Sequence, residues 1–186
     1  MYPYQNPNLP TEERINDLMS RMTLEEKILQ TDQYYSGDFT TQDENGKVTA
    51  VDMQRFDALM QRNSVGSVQL RGMTAAQANI VQRYAMENTR LGIPYLFSEE
   101  ALHGLMTNNA TSFPQQIGLA ASFEPELGRE MGHAIAAEAR ACGIHETYSP
   151  VMDLIRDPRY GRAEESYGED THLCAEFARE TVRGMQ

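Results

Sequence analysis

From residue 65 onward, short apolar runs alternate with helical patterns, and this alternation restricts the fold more than any other feature of the sequence. Val65-Gly66-Ser67-Val68-Gln69-Leu70 reads as a strand, and the spacing predicts a helix from Thr74 to Arg90. Ile93 to Phe97 is a second strand, its early proline tolerable at a strand start. After a long loop, Pro125 at a first helical turn opens a helix through Ala141, which Gly143 stops. A third strand is expected within Ile144 to Leu154, and a last helix from Asp170 to Met185. Strand, helix, strand, helix, strand, helix implies a parallel α/β architecture. The returns from helix to strand are short, whereas the loops after the second and third strands are long and chemically loaded. That asymmetry suits a (β/α)8-like TIM barrel, with its site at the C-terminal strand ends. An open doubly wound sheet is the alternative. No G-x-G-x-x-G follows the first strand, so a dinucleotide site has no support.

Three βα units are fewer than half of eight. The expectation is therefore an incomplete N-terminal barrel domain over residues 1–186, its three units preceded by helices and a loose stretch at residues 1–10. Thr11 can cap a first helix carrying Ile15, Leu18, Met19 and Met22 on one face. Thr23-Leu24-Glu25-Glu26 reads as a capping box opening a second. Residues 36–50 look like an exposed loop or hairpin tip, and a helical pattern resumes from Asp52 to Gln61. Such a partial barrel leaves strand edges unpaired and an apolar layer uncovered. It should self-associate or pair with a complementary half.

Composition then narrows the partners. The net charge is −11, which repels nucleic acid and anionic membrane, so neither is an expected partner. No run approaches the length of a membrane span. The start, MYPYQNPNLP, is polar and proline-broken, and Cys142 and Cys174 form no metal or redox motif. A reduced cytoplasmic chain is the expectation, with a periplasmic or secreted one if an upstream signal is missing. Asn109-Ala110-Thr111 matches a glycosylation acceptor, a single short match of little weight.

Two stretches carry chemistry. Ser98-Glu99-Glu100-Ala101-Leu102-His103-Gly104 ends the second strand, where a carboxylate would face a barrel mouth and accept hydrogen bonds from a polar ligand. Acidic residues also favour a helix start for dipole reasons alone. Glu100-x-x-His103 and Glu169-x-x-His172 repeat the spacing of di-iron bundles, but those need both pairs mid-helix, and strand and glycine signals flank these. No metal or other cofactor is expected. The second stretch, DPRYGRAEESYGED at 157–170, packs two arginines among five acids. Ion pairing within it is one reading. The other gives an arginine a ligand, because a guanidinium suits vicinal hydroxyls or a carboxylate.

From about residue 12 to the last residue, the chain resembles glycoside hydrolase family 3, the β-glucosidase and β-xylosidase group. MTLEEKILQ, VGSV, GIPYLFSEEALHG, TSFPQQIGLAASFEPEL, the run from IAAEARACGIHE through DPRYGRAEESYGED, and VRGMQ occur in the family's order. The resemblance implies removal of terminal β-linked sugars with retention, on a barrel usually followed by a second α/β domain. It assigns two substrate-binding residues. Glu100 stands where many glucosidases have the Asp that binds hydroxyls of the terminal sugar, and Arg162 closes the Asp-Pro-Arg-aromatic-Gly-Arg run that reaches the same sugar. It assigns no catalytic residue here. The family's nucleophile is an Asp in a Ser-Asp-aromatic motif, and this sequence has neither a Ser-Asp pair nor the family's Lys-His pair. The chain is thus expected to be the N-terminal segment of an exo-acting β-glucosidase acting on a β-linked oligosaccharide or glycoside. A β-xylosidase or arabinofuranosidase is the alternative, as is a non-catalytic sugar-binding fragment.

Overall fold

The computed structural model describes residues 2–61, 63–107 and 110–186; Asn109 of the acceptor pattern lies outside them. In chain order the strands are β1 (Gln33–Tyr35), β2 (Thr40–Gln42), β3 (Val48–Val51), β4 (Ser67–Gln69), β5 (Leu96–Glu100) and β6 (Glu146–Tyr148). The helices are α1 (Thr11–Arg21), α2 (Leu24–Leu29), α3 (Met53–Met60), α4 (Ala75–Asn88), α5 (Gln116–Ala120), α6 (Pro125–Ala141) and α7 (Thr171–Met185). Most helix starts are written locally. Thr23 and Glu26 close a capping box on α2, Thr74 and Gln77 another on α4, and Asp52 and Asp170 accept amide hydrogens at the heads of α3 and α7. Gly143, at φ 81°, takes the left-handed turn that ends α6.

β1, β4, β5 and β6 form one parallel sheet in that order, and β2 pairs antiparallel with β3 in a separate hairpin. Each parallel strand lies next to the preceding one, with no reversal of order. A doubly wound sheet reverses its order at a switch point, so the sequence of strands favours the barrel. Curvature says the same. The amide Nε2 of Gln33, on one edge strand, donates to the Tyr148 hydroxyl on the other edge at 2.5 Å. In a flat sheet those strands would be about 14 Å apart, three spacings of about 4.8 Å. Side chains that meet across that gap converge above a concave surface.

The two faces of this sheet differ in chemistry. Val68 and Phe97 point to the helices and are buried in a core that includes Val81, Ile135 and Phe177. Residues on the other, inward face include Gln33, Ser67, Gln69, Ser98 and Glu100, which the register aligns across the strands. The uncovered inner layer is therefore polar, not the apolar layer expected from a partial barrel, although Leu96 is exposed on it.

Other expectations need correction. Gln33–Tyr35 is a fourth parallel strand that three residues were too few to reveal. Residues 36–50 do hold the expected hairpin, but they are not all exposed, since Phe39 and Val48 enter the core. Within the stretch expected to be loose, Tyr4 is buried, and its hydroxyl donates to the Leu91 carbonyl at 2.5 Å. Thr11 is the first residue of α1 rather than its cap, which is Pro10.

Helices α6 and α7 touch backbone to backbone. A Cβ on Gly132 would lie 2.6 Å from the Thr181 carbonyl oxygen, and one on Gly184 would lie 2.1 Å from that of Arg129. Close approach brings Arg129, Arg179 and Arg183 around the buried Glu180 carboxylate, with Arg129 Nε at 2.6 Å and Arg183 Nη1 at 2.8 Å. The Arg129 hydrogen bond leads in holding the Glu180 carboxyl below its ordinary pKa, against the opposing cost of burial. A depressed carboxylate stabilises the fold above its unfolded-state pKa, and that contribution disappears as pH falls through the folded value. Glu180→Gln should accordingly lower Tm at pH 7, with the gap to the parent closing as the melting buffer is taken below pH 4. A gap that stayed constant over that range would mean the ion pairs contribute nothing.

Candidate active site

β5 begins three residues later than its sequence suggests and runs through Glu100, so Ser98, Glu99 and Glu100 belong to a strand rather than to a helix start. Successive strand residues face opposite ways. Glu99 turns to the helix side and is almost fully buried. Its Oε2 accepts from the Gly72 amide at 3.0 Å and its Oε1 from the Glu100 amide at 2.9 Å, tying the end of β5 to the turn after β4. Burial pushes the Glu99 carboxyl pKa upward, while those two amides and Arg71 pull the other way. Glu100 turns inward and is half-buried. Because the two carboxylates lie on opposite faces, they cannot flank one glycosidic bond as the acid and nucleophile of a retaining pair.

Arg162 lies in the loop after β6 and is exposed. Its Nε donates to Glu165 Oε2 at 2.7 Å, and its Nη2 reaches the same oxygen. Glu165 is the main reason the guanidinium holds its proton more tightly than usual; Tyr160 and Glu100 add to the effect. Glu100 ends β5, and Arg162 lies in the loop that follows the adjacent strand β6. One offers acceptors and the other donors, the complement of a hydroxyl-rich ligand.

Two of the remaining acids of DPRYGRAEESYGED are occupied. Asp157 pairs with Arg159, with Nε to Oδ1 at 2.9 Å, and Asp170 caps α7 through the Leu173 amide at 2.7 Å. Tyr167 is buried, stacks on Phe177 and bonds the Thr181 hydroxyl at 3.0 Å. Glu100 is in a strand and His103 in the loop beyond it, where its Nδ1 lies 3.2 Å from the Phe113 carbonyl. That pair lacks the helical geometry of a carboxylate–histidine metal site.

Sequence reasoning missed Gln33 and Tyr148 beside this site and gave Ser98 no role of its own. Gln33 Nε2 donates to Ser98 Oγ at 2.8 Å as well as to Tyr148, and the Tyr148 hydroxyl donates to Ser98 Oγ at 3.0 Å. The only available signal was the run of polar residues in short strands, which looks like loop in a sequence. A cleft of about 310 Å3 lined by Lys47, Arg71, Gly72 and Met106 adjoins the same strand end, where the Met106 amide bonds the Glu100 carbonyl at 2.9 Å. A cleft of about 790 Å3 lies by Tyr4, Ile15 and Pro94 at the opposite end of β5 and has no part in this arrangement.

Residues 23–186 match the family described as "Glycosyl hydrolase family 3 N terminal domain". Among curated proteins, β-glucosidase C of Emericella nidulans is 31% identical over 98% of the chain, which covers 31% of that protein. The periplasmic β-glucosidase/β-xylosidase of Dickeya chrysanthemi is 34% identical over 99% of the chain and 30% of its own length. A solved β-glucosidase from Erythrobacter marinus superposes with a TM-score of 0.80 at 32% identity, over 98% of this chain and 24% of that one. The chain spans 24% to 31% of the length of these relatives. No helix among the described residues is long and apolar enough to cross a membrane.

Proposed function

We propose, from the premise that this chain belongs to glycosyl hydrolase family 3 through its N-terminal domain, that it supplies the terminal-sugar site of an exo-acting, retaining β-glucosidase. The observation that supports the reading is the place of Glu100 at the C-terminal end of β5 in a parallel, barrel-like sheet, with Arg162 on the loop that follows the adjacent strand β6. Glu100 accepts hydrogen bonds from hydroxyls of the terminal glucosyl unit, and Arg162 donates to an oxygen of the same unit. The nucleophile and the acid/base come from the rest of the enzyme. Binding energy from these contacts contributes to rate when it is realised more fully at the transition state than in the ground state.

On this reading residues 1–186 are one partial barrel domain. The edges of its sheet, β1 and β6, pair with strands from a complementary segment or, failing that, from a second copy. The free thiols Cys142 and Cys174 suit a reducing cytoplasm.

The test is Arg162→Ala in the full-length polypeptide. We expect kcat/KM for an aryl β-glucoside to fall at least about tenfold, on the order of 1.4 kcal/mol of transition-state stabilisation. An unchanged value would remove Arg162 from the substrate site. Running the parent against an aryl β-xyloside in the same assay decides between the two sugars.

A further inference from the structure

We propose that Gln33, Ser98 and Tyr148 form a positioning cluster beneath the sugar site, with Glu100 as the group they align. The inference rests on the sugar-site reading above. None of the three is assigned contact with the substrate; each acts through the strand that carries a neighbour.

Location is the first argument. Ser98 lies on the inward face of β5, two residues or about 7 Å before Glu100. Tyr148 is the register partner of Glu100 on β6, and the chain beyond it leads to Arg162. Gln33 comes from the far edge and reaches over β4 to bond both others. Three strands are therefore fixed relative to one another directly below the carboxylate.

Saturation is the second. The two hydrogens of the Gln33 amide serve the two contacts it makes, and the Tyr148 hydroxyl both accepts from Gln33 and donates to Ser98. Ser98 is completely buried, so no water competes for its oxygen. A closed ring of this kind has one arrangement, whereas aliphatic side chains in the same space could repack.

Cost is the third. Barrel interiors are mostly filled by branched aliphatic residues, and a polar layer gives up part of that hydrophobic gain. What the layer supplies is directional: it fixes strand spacing and curvature where the ligand carboxylate leaves the sheet. Sites of this type need their groups held to within about 0.5 Å.

Tyr148→Phe in the full-length polypeptide keeps the ring and removes the hydroxyl. We expect kcat/KM for an aryl β-glucoside to fall on the order of tenfold, short of the hundredfold that a 1 Å misplacement can cost. In a Glu100→Gln background the same change should alter kcat/KM less than about twofold, because the group being aligned is already compromised. Gln33→Met, close in volume, should reproduce both results and decides the matter if Tyr148→Phe does not fold. Equal fold-losses in both backgrounds, accompanied by a lower Tm, would mark a merely structural role and overturn the proposal. So would losses below about twofold in the parent background while Arg162→Ala remains damaging. If Arg162→Ala and Glu100→Gln are themselves silent, the failure lies with the sugar-site reading instead.

Discussion

Glu100→Ala in the full-length enzyme is expected to lower kcat/KM for an aryl β-glucoside about a hundredfold or more, a larger loss than at Arg162. The difference follows from where the two groups sit. Arg162 is exposed on a loop and shares its guanidinium with Glu165. Glu100 is half-buried at the end of a strand; its own carbonyl accepts from the Met106 amide, and the carboxylate of neighbouring Glu99 accepts from the Gly72 amide. A hydrogen bond to a charged group contributes roughly 1.5–3 kcal/mol, and a carboxylate can accept from two sugar hydroxyls at once. Losing about 2.7 kcal/mol of that at the transition state corresponds to about a hundredfold. Glu100→Gln keeps one acceptor and should fall between the parent and the alanine variant. Steady-state kinetics on the three proteins checks the order. A loss under about threefold for Glu100→Ala would sink the assignment.

Phe56→Ala should have the largest effect on stability. The Phe56 ring is wholly buried, with the rings of Phe39, Tyr84 and Tyr95 packed edge-on around it at 4.7, 5.0 and 6.4 Å between centroids. It joins the hairpin region, α3, α4 and the approach to β5. Removing such a ring costs about 3–5 kcal/mol through lost burial and the cavity left behind. Against a typical domain stability of about 5–15 kcal/mol, that is a large fraction. The chain has no tryptophan, so urea unfolding followed by circular dichroism is the suitable measurement. A shift equivalent to less than about 1 kcal/mol would show that the cluster relaxes around the gap.

What could be read from the sequence divides along physical lines. Helices α2, α4, α6 and α7 were legible because their caps and stops are local: Thr23, Thr74, Pro125, Gly143 and Asp170 act within a turn of where they stand. Strands fared worse. Three residues such as Gln33-Tyr34-Tyr35 hold too few alternations to show a period, and this face of the sheet is polar, which erases the apolar signal altogether. β5 was misplaced because Tyr95 is buried without being in the ladder, while charged Glu99 and Glu100 are in it. Glu100 and Arg162 were identified by family resemblance, since nothing in their spacing brings together positions so far apart. The Gln33–Ser98–Tyr148 ring was invisible for the same reason: its members come from three separate strands.

The hydrogen bond that joins the two edge strands has a consequence for synthesis. Gln33 and Tyr148, which make that bond, are both synthesised before α7, so the arc can begin to form as soon as Tyr148 clears the ribosome. Strands made later would then dock onto a surface already curved, and need not bend a flat one. Until they arrive, the waiting surface is lined mainly by amides, hydroxyls and a carboxylate that water solvates well. Once α7 has covered the other face of the sheet, a chain waiting for its partner strands would present little to chaperones that seek out greasy segments.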